Sequence, residues 1–280
     1  HVAAADALGH INITFFRHKS HRLMDICRSA LACDMGFPTD AVDIPAAPCS
    51  ETPFPASHLD IKDSSAEGDI YPKGADRTLI EVCCGNASRL GRPSRFNAKC
   101  NRIRLTLKND LTTATGLEYA KQKVRDAQSE HPGKLMLWAS IPCTGGCPWN
   151  RLNRLSKSTR RKIAKHIALF WKLWAAFVEL TELALSLGPA LINIEWPQSC
   201  DYWNYDKVKQ FCATHKLRRT IFHGCQYGVC SMNKGTLGMP IKKPWAVASN
   251  SRQIANRLCR VCDHSHEHAR CKGSDAQMTE

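Results

Sequence analysis

Apolar positions show no sustained periodicity up to about residue 76 and become regular only beyond it. In the first stretch Pro45, Pro48, Pro53 and Pro55 crowd together with Ser64, Ser65 and Gly68, which is the composition of a linker. Residues 1–76 are therefore expected to form a flexible N-terminal region outside the core, with short helical turns only near Arg22 to Cys33. From residue 77 short apolar runs alternate with longer amphipathic ones. Thr78 to Cys83 is a compact apolar run ending at Gly85, the pattern of a strand meeting a turn. Cys100 to Thr106 alternates as a second strand, and Leu117 to Gln128 has helical spacing closed by Pro132-Gly133. Leu135 to Ser140 predicts a third, buried strand leading to Cys143. Ile163, Ile167, Phe170, Trp174, Phe177 and Val178 then share one face of a long helix that Gly188-Pro189 stops. Ala190 to Ile194, Arg219 to Phe222 and Trp245 to Ala248 complete the strands, with a helix over Tyr205 to His215. Strands alternating with helices predict an α/β domain over 77–250, its parallel sheet doubly wound and flanked by helices. A small Cys/His-rich tail, 251–280, follows.

Composition sharpens this outline. With 280 residues and 43% hydrophobic content, the chain can bury a substantial core. Its most apolar long stretch, Ile163 to Leu187, is broken by Lys165, Lys172, Glu179 and Glu182, so no membrane span and no membrane partner are expected. The formal charge of +14 favours a polyanionic partner, nucleic acid above all and DNA before RNA. Much of that charge is clustered: Arg151, Arg154, Lys157, Arg160, Arg161, Lys162 and Lys165 run on with no acid among them. A solvated helix face would look the same, but the run begins directly after the Cys143 segment, which favours phosphate contact. The chain has 15 cysteines and opens with no secretory signal. Thiols, metal ligands or a catalytic residue in a reducing intracellular compartment explain them better than a disulfide framework. The start at His1 suits a piece of a longer protein.

In open parallel sheets, sites form beyond the carboxyl ends of the strands. Three predicted strands end in unusual residues: Glu81-Val-Cys-Cys-Gly-Asn-Ala-Ser88, Ile141-Pro-Cys-Thr144 and Glu195-Trp-Pro197. Each alone is weak, since strand-end glycines and turn cysteines are common. Together they should converge on one rim. Trp149, Trp196 and Trp203 near that rim are either stacking surfaces for a base or caps of the core.

In order and spacing these segments resemble the C5-cytosine DNA methyltransferases. Glu81 to Ser88 resembles that family's glycine-rich first motif, Ile141-Pro142-Cys143 its Pro-Pro-Cys motif, Glu195-Trp196-Pro197 its Glu-Asn-Val motif, and Tyr227-Gly228-Val229 its later Tyr-Gly-Val segment. The likeness covers about residues 77–250. It implies a Rossmann-like class I methyltransferase sheet that binds S-adenosylmethionine (SAM). It further implies that Cys143 is the thiolate adding to cytosine C6, and that Glu195 hydrogen-bonds the base. Glu81, Cys84, Gly85, Asn86, Ala87, Asp110 and Pro142 are then the cofactor contacts. Arg151, Arg154, Arg160, Arg161 and Lys162 would steer phosphates around a flipped base. A narrower likeness, carried by "SIPCTGGCPW", "IEWPQSCDYW", "GCQYGV" and "KKPWAVASN", is to methyltransferase-like segments of algal retrotransposon polyproteins. It implies other polyprotein segments as partners and, for action on DNA, a nuclear location.

The chain also departs from the family. Ala87 and Ser88 replace glycines, Thr144 replaces Gln, Cys147 stands where Ser is frequent, and Trp196 replaces the Asn of Glu-Asn-Val. Cys230-Ser-Met-Asn-Lys234 replaces a Gln-x-Arg-x-Arg run, and no long target-recognition insert follows. An active enzyme and a catalytically degraded relative are both consistent with this pattern. A third alternative, from another class, is a non-catalytic nucleic-acid-binding module of a mobile element.

The tail adds Cys259, Cys262, His264, His266, His268 and Cys271. Such ligands suit a structural zinc knuckle or a disordered, metal-avid tail. The preferred set is Cys259, Cys262, His268 and Cys271, with His264 and His266 as alternates.

Overall fold

The computed structural model describes residues 69–85, 88, 90, 98–153, 156–272 and 275. The expectation for residues 1–68, and the roles given to Asn86, Ala87 and Arg154, lie outside them.

Six strands form one sheet: β1 (Arg77–Val82), β2 (Cys100–Leu105), β3 (Leu135–Ala139), β4 (Ala190–Pro197), β5 (Arg218–His223) and β6 (Pro244–Ser249). Their spatial order is β2-β1-β3-β4-β6-β5. The four strands β2, β1, β3 and β4 run parallel. Every residue of β1 and of β3 is buried, because a parallel strand inside a sheet has no solvated face; β3 is apolar throughout, whereas β1 also buries Arg77, Thr78 and Glu81. Ile70 exchanges two backbone hydrogen bonds with Arg102, so the chain reaches the sheet edge before β1 begins.

The sheet is mixed, and this corrects the expectation of a wholly parallel one. β6 inserts antiparallel between β4 and β5. The connection from β5 to β6 contains only a 3₁₀ turn, Gly224–Tyr227, and no crossover helix. A parallel return needs such a crossover, whereas an antiparallel one does not. The expected winding on both faces is also altered. The helices α1 (Ala114–Glu130), α3 (Lys157–Leu187) and α4 (Asp206–Thr214) share one apolar core with a single face of the sheet. Among the described residues, the opposite face is covered by Tyr227, Val229 and Ile241 of the β5–β6 connection. Ile254 of α5 (Arg252–Arg257), Leu258 and Ala269 complete that cover. The tail thus contributes to a core.

α3 starts at an N-cap, Ser156, whose hydroxyl accepts from Thr159 N at 3.0 Å, and it ends at Gly188. Its apolar face meets β4 through an aromatic cluster. Phe170 stacks on Tyr202 with centroids 3.7 Å apart, and Trp196 meets Tyr202 edge-on at 5.6 Å. No helix among the described residues is long and apolar enough to cross a membrane.

Candidate active site and candidate metal centre

β1, β3 and β4 are neighbours and parallel, so the three segments singled out in the sequence do end on one rim. Here the chain order reverses direction across the sheet, from β2 on one side of β1 to β3 on the other. Such a switch point leaves a crevice. Ser140 N donates to Val82 O at 3.0 Å, tying the end of β1 to the start of the Cys143 segment.

Beyond β3 and β4 lies a cavity of about 720 Å³. Cys143 and Glu195 both line it, as do Pro142, Trp149, Lys242 and Lys243. Glu195 faces it because β4 outruns β3. Ala139, the last residue of β3, pairs with Ile194, and the antiparallel β6 carries the ladder on through Glu195 to Pro197. Sequence spacing ended this strand at Ile194; an antiparallel partner extends it.

The Cys143 segment is held tightly. Cys143 itself lies in the bridge region of backbone space, at φ −85 and ψ 3, where active-site residues recur. Its carbonyl accepts from Gly146 N at 2.9 Å to close the turn. The indole N–H of Trp196 donates to Ile141 O at 2.8 Å, while Asn150 Nδ2 donates to Thr144 O at 2.8 Å. A Cβ on Gly146 would stand 2.7 Å from Cys200 Sγ and 2.8 Å from Tyr202 Cδ1, so the second glycine is required by close packing. Burial pushes the thiol of Cys200 and the phenol of Tyr202 well up, with Cys143 nearby adding to both shifts.

The other proposed contacts are distributed differently. Glu81 is buried, its carboxylate accepting from Ser88 Oγ and lying 3.7 Å from Arg104 Nε on β2. Cys84 is buried and its N–H donates to Leu105 O at 3.2 Å. Burial raises its thiol and that of Cys83, the latter to about 12. Cys83 turns the chain off β1 in the left-handed region, at φ 59, just before Gly85. Asp110 is exposed and accepts from Thr112 Oγ1 at 2.7 Å beside the start of α1. None of these lines the cavity. Of the three tryptophans, Trp196 and Trp203 are core residues, whereas Trp149 is 67% exposed on the cavity wall.

The basic run is exposed at Arg160, Arg161 and Lys162 in the first turns of α3, which packs on the Thr144–Gly146 turn. Arg151, on the single turn α2 (Trp149–Leu152), is instead engaged by Asp201. That pair bridges the Cys143 segment to the chain after β4. The cavity's own cations, Lys242 and Lys243, were not among the sequence candidates. They sit immediately before β6, and only its position inside the sheet brings them there.

Compared with known proteins, the chain matches no family model, no curated protein and no solved structure.

A second group of side chains could hold a metal ion. The ligand atoms of Cys225, Cys262, His266 and His268 all lie within 4.8 Å of one another. This revises the preferred ligand set. Cys262 and His268 belong to the group, His266 moves up from alternate, and Cys225 joins from the 3₁₀ turn after β5. Cys259 is exposed just past α5, its thiol directed to Asn256 O at 2.9 Å, and Cys271 lies on the cavity wall. A Cys-x-x-Cys pair is visible in sequence, but a ligand from a distant turn is not.

Proposed function

We propose that this chain is a SAM-dependent, methyltransferase-like domain directed at cytosine in DNA. The observation that carries the reading is the meeting of Cys143 and Glu195, remote in sequence, on the wall of one cavity at the switch-point rim. Its volume is in the range of small-molecule sites and would admit a flipped base. The Cys143 thiolate would add to C6 as the C5–C6 π pair shifts to C5; once C5 has taken up a methyl group, loss of its proton would re-form the double bond and expel the thiolate. Glu195 would hydrogen-bond N3 and the exocyclic amine, holding the base against the thiolate as charge develops on the ring. Lys242 and Lys243 at the cavity, with Arg160, Arg161 and Lys162 on α3, would contact phosphates.

A cofactor would lie beside that cavity, at the end of β1. The turn at Cys84-Gly85 leaves β1 at the switch point, and the Ser140–Val82 hydrogen bond joins it to the cavity wall. S-adenosylmethionine bound there would supply an electrophilic methyl group. Cys84, Gly85 and Pro142 would hold it, mainly through backbone. For the metal group, the mixed thiolate and imidazole donors favour zinc.

One observation favours the non-catalytic nucleic-acid-binding alternative. The carboxylates of Glu81 and Asp110, offered to the cofactor by the resemblance, are engaged by Ser88 with Arg104 and by Thr112. Calorimetric titration of the full chain with SAM, zinc present, separates the two readings. The methyltransferase-like reading expects saturable binding that Gly85→Trp abolishes in a folded variant. A folded wild-type chain that takes up no SAM would leave nucleic-acid contact as the function.

A further inference from the structure

We propose that zinc on Cys225, Cys262, His266 and His268 is a clamp that builds the tail wall of the Cys143 cavity. The inference rests on the zinc assignment above and not on methyl transfer.

Two of the donor separations match those around one tetrahedral ion. With about 2.3 Å to sulfur and about 2.0–2.1 Å to imidazole nitrogen, tetrahedral angles set a sulfur–nitrogen separation near 3.6 Å. Cys262 Sγ lies 3.4 Å from His268 Nε2 and 3.8 Å from His266 Nε2, bracketing that value. The sulfur is also prepared from its own loop. His264 N donates to Cys262 Sγ at 3.2 Å, which fixes the direction of the sulfur. That bond goes with a left-handed backbone at His264, φ 65, a conformation that a non-glycine residue keeps only when its surroundings enforce it.

Cys225 supplies the fixed half of the site. Its turn is pinned by Gly224 N, which lies 2.8 Å from Lys242 O, and by Val229 N donating to Gly224 O at 3.0 Å. A Cβ on Gly224 would come within 2.8 Å of Trp245, so the turn is packed against β6. The tail supplies the movable half. Residues 258–272 contain no helix or strand. Their attachments to the body include His223 N to Arg260 O at 3.0 Å, Cys262 N to His223 Nδ1 at 2.9 Å and Ala269 N to Pro240 O at 2.9 Å. The segment buries Leu258 and Ala269 but is otherwise irregular, and a metal cross-link would add the constraint that regular structure supplies elsewhere. Four protein ligands close the coordination shell, which makes the ion structural.

The consequence follows from what comes next along the chain. Ala269, directly after the ligand His268, lines the cavity, and so does Cys271. Ile241, Lys242 and Lys243, beside the Pro240 to which Ala269 is bonded, line it as well. Fixing His266 and His268 therefore fixes the wall facing Cys143.

The test uses the full chain in two arms. Metal per chain is measured after gel filtration by elemental mass spectrometry. About one zinc is expected in the wild type and in Cys259→Ser, with loss of most of it in Cys225→Ser and in His266→Ala. Zinc kept in Cys225→Ser, or lost in Cys259→Ser, would overturn the ligand set. In the second arm, pulsed alkylation of Cys143 and of buried Cys83 is read by peptide mass with and without a chelator. Chelation should speed Cys143 roughly tenfold and leave Cys83 unchanged, as local opening of one wall requires. An unchanged Cys143 rate would show that the metal does not build the wall. An equal rise at Cys83 would show global unfolding and overturn the local clamp.

Discussion

The indole N–H of Trp196 reaches Ile141 O, two residues before Cys143, from a side chain only 1% exposed. At this position the chain holds the Cys143 loop with a buried tryptophan that also packs on Tyr202 and Trp203. Trp196→Phe keeps most of the packing and removes the donor. Leaving a buried carbonyl unmatched should cost about 1–3 kcal/mol, read as a lower denaturant midpoint at unchanged slope. An unchanged midpoint would mean that the hydrogen bond contributes nothing. Gly146→Ala should destabilise by about 1–3 kcal/mol, because its Cβ meets Cys200 and Tyr202 in a packed interior. Wild-type stability in that variant would contradict the close packing that explains the second glycine of the Thr144-Gly-Gly turn.

α3 carries its basic residues at the end where they help it least. Lys157, Arg160, Arg161 and Lys162 crowd its first turns, and the N-terminus of a helix already bears partial positive charge. An arrangement that opposes helix stability beside a cavity lined by two more lysines is what phosphate contact would select. Replacing Arg161 and Lys162 by alanine should weaken DNA binding and make the logarithmic salt dependence shallower by about 1.8, at about 0.9 per phosphate contact. The same change should leave the helix as stable or slightly more so. An unaltered salt slope would assign these residues to solvent. At this scale the sequence was readable where local period decides. Of the six residues that helical spacing put on one face, Ile163, Phe170, Trp174 and Phe177 are buried, while Ile167 and Val178 are half-buried. The direction of β6 was not readable, because Trp245 to Ala248 is equally apolar in either sense and only the missing crossover helix decides.

For the molecule as a whole, one rim brings together what the chain keeps apart. Glu195 faces the cavity because β6 prolongs β4, Lys242 and Lys243 because they precede β6, and Ala269 because its N–H donates to Pro240 O beside them. Cys143 and Glu195 were legible as strand-end residues with distinctive neighbours. Cys225 was not, since its proximity to Cys262, His266 and His268 is wholly tertiary. The tail's place on the cavity wall has the same origin. Cys143 is proposed to act as a nucleophile toward cytosine, and that role carries the rest. It is tested most directly by incubating the full chain with SAM and duplex DNA containing 5-fluorocytosine, then measuring intact mass under denaturing conditions. Fluorine at C5 cannot leave as a proton does, so an attacking thiolate stays bound to C6. A protein–DNA adduct is expected in the wild type, absent in Cys143→Ala and reduced in Glu195→Gln. A chain that binds SAM and DNA yet forms no adduct, or forms the same adduct without Cys143, would contradict it.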